Sequence, residues 1–274
     1  MKRIMTSLFI LLSGFLLGLA PFAVMAENPH APKYFSEEKV DVSYVIDGDT
    51  FATKQNKRVR LLGINTPEIS HGAGQASQPF AQKAKQRLTD LIGGKQIILS
   101  FSEGRTTDKY GRLLAFVHLE NGENINETLV KEGLAHVYTF PDTPFDATPL
   151  FTAEQQARDA KIGLWSLPRW QVLNAENINE IKDIDSRIGT FNLVQGTVKN
   201  IKTVKDKTYL NFGDDWRTDF TVEIDKRFLE NFLSGNINPE KNYQNKTLLV
   251  RGFLKPVNGI LVTATHPQQL QIIK

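Results

Sequence analysis

The strongest constraint on this chain is the order of its local patterns between residues 39 and about 118. Short alternating segments VDVSYVI (40–46), TFATK (50–54) and RVRLLGI (58–64) read as three strands separated by tight polar turns. A helix is expected over 75–92, where Phe80, Ala84, Leu88, Leu91 and Ile92 share one face and Gly93-Gly94 ends it. KQIILSF (95–101) and LLAFVHL (113–119) supply two further strands, and helices are expected over Ile125–Glu132 and Phe151–Lys161. Three strands, a helix and two strands is the order of a five-stranded Greek-key barrel, the OB-fold. The class is therefore mainly β with helices, α+β.

The same grammar returns later. LVQGTVKNIKTV (193–204), KTYLNFGD (207–214) and RTDFTVEI (217–224) precede the helical pattern DKRFLENFL (225–233), and KTLLVRGFLK (246–255) and GILVTATH (259–266) follow it. The expected organisation is an OB-fold domain over 39–168, a linker over 169–188 and a smaller OB-like barrel over 189–274. Residues 27–168 carry a net charge of −2 and residues 169–274 a net charge of +3. The first suits a cation site, the second a polyanion.

Residues 1–26 read as an address rather than as fold. Lys2-Arg3 precede an apolar run that closes on Val24-Met25-Ala26, with small residues at the last and third-last positions, the layout of a secretory signal peptide cleaved after Ala26. A retained membrane anchor is the other reading of the run. A polar leader, 27–38, follows. The expected product is exported, periplasmic or secreted, without stable membrane insertion after cleavage. The chain contains no cysteine, which excludes disulfides, thiolate zinc sites and Cys nucleophiles. His30, His71, His118, His136 and His266 are scattered without HxxxH or HExxH spacing, and no nucleophile elbow or phosphate-cradling P-loop motif is present.

Three stretches carry chemistry: Asp47-Gly48-Asp49-Thr50, Arg60 to Glu68 (RLLGINTPE) and Asp108-Lys109-Tyr110-Gly111-Arg112. Asp-Gly-Asp at a strand turn offers hard oxygen ligands. Arg60 interrupts an apolar strand and must be paired or aimed at a pocket. Taken in this order and spacing, with ETLVKEGLAHVY and AEQQARDAKIGLWS downstream, the chain resembles the thermonuclease family of staphylococcal-nuclease-like phosphodiesterases over roughly 39–166. The resemblance implies an OB-fold core and Ca²⁺-dependent hydrolysis of DNA and RNA. It places Arg60 and Arg112 as phosphate-clamping arginines and Glu68 as the general base. It also places Asp49, Asn65 and the Thr66 carbonyl as calcium ligands, with Asp47 an acidic group nearby, and Lys109, Tyr110 and Tyr138 along the nucleotide groove.

These residue types belong together because a phosphodiester gathers negative charge in its transition state, which two guanidiniums and a divalent cation neutralise. A carboxylate orients or deprotonates the attacking water. At Asn65 the family pattern expects a carboxylate; the amide keeps an oxygen ligand but removes a unit of charge, so weaker or altered metal preference follows. The alternative reading is a nucleic-acid-binding protein with a degenerate, inactive barrel. The second unit is also open to a protein-docking role. Because every proposed catalytic residue lies before about residue 140, the first barrel is expected to hold a complete site, with the exposed-looking Trp216-Arg217 turn of the second unit touching long substrates.

Overall fold

The computed structural model describes residues 34–70, 72, 74 and 76–273. The signal-peptide reading and most of the polar leader lie outside these residues. From residue 34 onward the described chain forms one compact unit.

Strands β1 (Ser36–Val45), β2 (Thr50–Thr53), β3 (Arg58–Leu61), β5 (Gln96–Phe101) and β6 (Leu113–His118) make a closed barrel in the order β1-β2-β3-β6-β5. All pairs are antiparallel except β3 with β6. A short pair, β4 (Ile64–Asn65) and β7 (His136–Val137), lies beside it and sets Asn65 opposite His136. The strand expectations hold, although β1 starts three residues earlier than the leader boundary implied. Helix α1 (Ala81–Ile92) turns Ala84, Leu88, Leu91 and Ile92 into the core that also holds Val40, Val42, Phe51, Val59, Leu61, Ile97 and Leu99. Burying each such Leu or Ile side chain contributes about 1.5–3 kcal/mol.

Two helix starts differ from the sequence pattern. α1 begins at Ala81, not near Gln75, because Pro79 disfavours a helical Gln78 and Phe80 takes a left-handed φ of 69°. α3 (Thr148–Asp159) begins earlier than Phe151, because Pro149 is tolerated in a first helical turn. Between them α2 (Ile125–Lys131) is capped by Asn124, whose side chain accepts from the Glu127 N–H.

The segment expected to be a linker is structured. Two-residue strand β8 (Leu173–Asn174) pairs in parallel with β9 (Phe191–Thr197), Ile178 is buried in the second core, and short helix α4 (Ile184–Arg187) buries Arg187. Arg187 is held by Asp183 and by the carbonyls of Pro168 and Arg169. Polar composition concealed this, since the ordering partners are backbone carbonyls of the preceding chain.

Beyond it, β10 (Asn200–Val204), β11 (Lys207–Asn211) and β12 (Phe220–Asp225) are followed by α5 (Lys226–Leu233) and α6 (Pro239–Asn242). Then come β13 (Thr247–Phe253), β14 (Lys255–Pro256), β15 (Ile260–Thr263) and β16 (Leu270–Ile272). The expected elements are there in the expected order, but as two sheets, β10-β11-β12-β15-β14 and β16-β13-β9-β8, rather than one closed barrel. β12 and β15 are parallel, as β3 and β6 are in the first barrel. The chain bends at Val198-Lys199 and at Leu254 as it passes from one sheet to the other.

The two halves share a small core of Ala157, Trp165, Leu193 and Leu249, with Trp170, Val172 and Phe191 against it. Polar ties reinforce it. The Arg251 guanidinium donates to Glu154 at 2.9 Å in a pair excluded from solvent, and the Gln268 amide donates to the Phe145 carbonyl. Thr139 Oγ1 lies 2.6 Å from His266 Nε2. Burial pushes the His266 imidazole down to about 4, with Asp142 only partly opposing.

That tie makes stability pH-dependent with a definite sign. The native imidazole stays neutral while the unfolded one gains a proton below its ordinary value near 6.5. Stability is therefore expected to fall as pH drops from about 6.5 towards 4. In urea titrations across that window, His266→Gln should flatten the fall by up to about 1 kcal/mol per pH unit. Parallel profiles for the two proteins would show that His266 protonates freely in the folded state.

Candidate active site

One end of the first barrel opens into a cleft of about 880 Å³. Asp47, Asp49, Arg60, Asn65, Glu68, Lys109, Tyr110, Arg112 and Tyr138 all line it. Nine of the ten residues chosen from sequence are thus brought together; Thr66 stands directly behind, buried.

Asp49 occupies the turn between β1 and β2, and the glycine before it has a packing reason. A Cβ on Gly48 would meet Thr66 Oγ1 at 2.6 Å and Ala84 Cβ at 2.7 Å, so only glycine lets the acidic turn lie against α1 and the RLLGINTPE segment. The Asp49 carboxylate accepts from the Thr66 N–H at 2.9 Å, from Thr66 Oγ1 at 3.1 Å and from Thr50 Oγ1 at 3.0 Å. Arg60 Nη2 completes its surroundings at 3.1 Å. The buried Arg60 is paired, as its place in an apolar strand required. The same Nη2 donates to Asn65 Oδ1 at 2.8 Å, while Nη1 donates to the Leu61 carbonyl.

Asp47 is the less satisfied acid. Its Oδ1 accepts the Asp49 N–H at 3.1 Å. Burial, then the neighbouring Asp49 charge, pushes its carboxyl up to about 6. Two carboxylates held side by side with uncharged oxygen donors beside them form a donor set suited to a hard divalent cation. Among the described residues no three acidic or histidine side chains cluster as a metal site. A cation here would draw on Asp47 and Asp49 together with the Asn65 amide oxygen and the Thr66 carbonyl, which now accepts from Asn65 Nδ2.

Arg112 faces the same space from the 108–112 turn. Its Nε donates to Asp108 Oδ2 at 2.7 Å, and Nη1 reaches Thr50 Oγ1 at 3.4 Å. Although burial opposes ionisation of Asp108, the Arg112 and Tyr110 N–H groups and the Arg112 guanidinium hold its carboxyl below the usual range. Tyr110 is exposed, with Lys109 and Arg112 over its ring at 5.0 and 5.5 Å. Glu68 is exposed at the cleft edge, its loop closed by reciprocal backbone and side-chain bonds with Gln78. The arrangement sets two guanidiniums, a pair of acids and a solvent-facing carboxylate around one space.

Several lining residues escaped the sequence reading. Arg105, paired with Asp142, and His136 belong to the first barrel; Arg169, Trp170, Thr190, Phe191 and Phe253 come from beyond it. Every residue proposed for the chemistry comes from the first barrel, and the later half of the chain adds part of the wall. Trp216 is exposed with Arg217 over its ring at 4.9 Å, and neither lines the cleft.

Comparison with known proteins agrees with this geometry. Residues 58–167 match the family model described as staphylococcal nuclease homologue. The chain is 36% identical to Endonuclease YncB of Bacillus subtilis (strain 168) over 52% of its own length and 68% of that protein's. It is 36% identical to Micrococcal nuclease of Shigella flexneri, over 48% of this chain and 75% of that protein. Against the SPbeta prophage-derived endonuclease YokF of B. subtilis it is 38% identical, but spans 45% of that protein's length. The chain belongs to the staphylococcal nuclease homologue family.

Proposed function

We propose that this protein is an exported nuclease that hydrolyses phosphodiester bonds of DNA and RNA with a divalent cation, Ca²⁺ in the first instance. The observation that carries the reading is the convergence of Arg60, Arg112, Glu68 and the Asp47–Asp49 pair on one cleft. Relatives named as endonucleases and as a micrococcal nuclease support the reaction class.

Arg112 is poised to turn from Asp108 to a phosphate, since guanidinium matches two phosphate oxygens as readily as two carboxylate oxygens. Arg60, braced by Asp49 and the Leu61 carbonyl, presents a fixed positive charge that needs no reorganisation as the transition state forms. Glu68 faces solvent and accepts the proton of the attacking water or orients it. A cation bound at the acidic turn would supply further charge neutralisation and acidify that water. Export rests on the signal-like residues 1–26. Among the described residues no helix is long and apolar enough to cross a membrane.

The test is cleavage of single-stranded DNA and of RNA by the protein released from residues 1–26, with Ca²⁺ and with chelator. Cleavage of both polymers that chelator abolishes supports the reading. Tight binding without cleavage supports an inactive nucleic-acid-binding barrel instead. Asn65→Asp is expected to tighten Ca²⁺ several-fold in calorimetric titration, because it adds a charged oxygen beside the acidic pair. Unchanged or weaker affinity would remove Asn65 from the ligand set.

A further inference from the structure

The cleft has a second, aromatic end made largely by residues outside the family-matched segment. Phe191 and Phe253 stand directly opposite each other on β9 and β13. Their rings lie 5.8 Å apart, and Tyr138 of the first barrel completes a triangle at 5.5 and 6.4 Å. Trp170 adds a fourth ring, 4.8 Å from that of His136. Phe253 is 47% exposed, an unusual state for a phenylalanine at the end of a buried strand.

This aromatic end adjoins the phosphate-facing groups. Asn65, which accepts from Arg60, pairs across the strands with His136, and Tyr138 follows two residues later. His136 is 2% exposed, lines the cleft, and neither ring nitrogen has a hydrogen-bond partner. Ring nitrogens without partners can donate or accept, the functions a base edge also presents.

We infer that Phe253, Phe191 and Trp170 form a subsite for a nucleobase of a single-stranded substrate, next to the phosphate held by Arg60 and Arg112. This deepens the nuclease reading and rests on it for the identity of the ligand. The occupant follows from continuity: a group entering beside a phosphate between two arginines and packing on flat rings is an unpaired base, since every base offers a π-face. A paired duplex keeps its bases stacked inward and cannot offer one without extruding it. Arg169 holds the wall in place, donating to Asn192 Oδ1, Thr190 Oγ1 and the Phe191 carbonyl.

The test uses the full chain after removal of residues 1–26 and two fluorescein-labelled single-stranded oligonucleotides of equal length. One carries its bases; in the other every residue is abasic. Binding is read by fluorescence anisotropy in chelator, and cleavage of the base-bearing strand is read separately with Ca²⁺. Phe253→Ala should weaken binding of the base-bearing strand about tenfold and leave the abasic strand within twofold, whereas Phe253→Trp keeps the wild-type preference. In cleavage, Phe253→Ala should raise KM and leave kcat nearly unchanged. Equal effects on both strands, or no effect on either, would overturn the subsite. A wild-type protein that shows the base preference but never cleaves would keep the subsite and overturn the nuclease reading.

Discussion

Arg112→Ala is expected to lower kcat on single-stranded DNA by at least about a hundredfold while leaving the melting temperature nearly unchanged. The guanidinium sits in the cleft with a quarter of its side chain exposed, and its ion pair with Asp108 lies at the edge of the cleft. Its loss therefore removes transition-state charge stabilisation, worth about 10² or more in rate for one well-placed donor, without unpacking a core. Arg60→Ala should cost as much in kcat and should also lower stability. Its partner Asp49 is 5% exposed, and truncation would strand that carboxylate in a buried site, a change that costs about 3–5 kcal/mol. Steady-state kinetics beside thermal melts separate the two. Near-normal turnover by either variant would remove it from the phosphate clamp.

A stability effect of similar size, without loss of a residue facing the cleft, is expected at the join between the halves. Arg251 and Glu154 are 1% and 0% exposed, and Glu154 also accepts the Val137 N–H at 2.7 Å, just before Tyr138. Arg251→Met should destabilise the protein by about 3–5 kcal/mol, because it leaves Glu154 charged and buried without its cation. Adding Glu154→Gln should recover most of that loss, since the neutral amide still accepts from Val137 and no charge remains uncompensated. Urea denaturation of the single and double variants checks this. Equal destabilisation of the two would show that the stacking of the Arg251 guanidinium over Phe151, 4.5 Å from ring centroid to guanidinium carbon, carries the contribution instead.

Much of the first barrel was legible because its signals are local. Period-two alternation marked the strands, Gly93-Gly94 the helix end, and the acidic and arginine motifs lie on the turns and strand ends that the barrel brings to one mouth. The rule that singled out Arg60, a guanidinium in an apolar strand, applies equally to Arg251 within TLLVRGF, and Glu154 interrupts the inward stripe of Leu150, Ala153 and Ala157. Those two breaks in pattern were a readable sign of a buried pair, though not of each other. The wall built by Trp170, Phe191 and Phe253 was not readable, because no periodicity records which sheet face packs against a neighbouring barrel. The segment after Pro168 misled for a related reason: Asn and Asp side chains that suggest a loop here cap short turns, as Asn174 does for Glu176.

The central claim, that this cleft hydrolyses phosphodiesters with water, is tested most directly by cleaving single-stranded DNA with Ca²⁺ in H₂¹⁸O and weighing the products. Hydrolysis at phosphorus predicts one ¹⁸O in the phosphate of every newly formed phosphate-bearing end, from wild-type protein, with product formation lost in Arg112→Ala. Intact polymer after prolonged incubation, or cleaved ends without ¹⁸O, would contradict it.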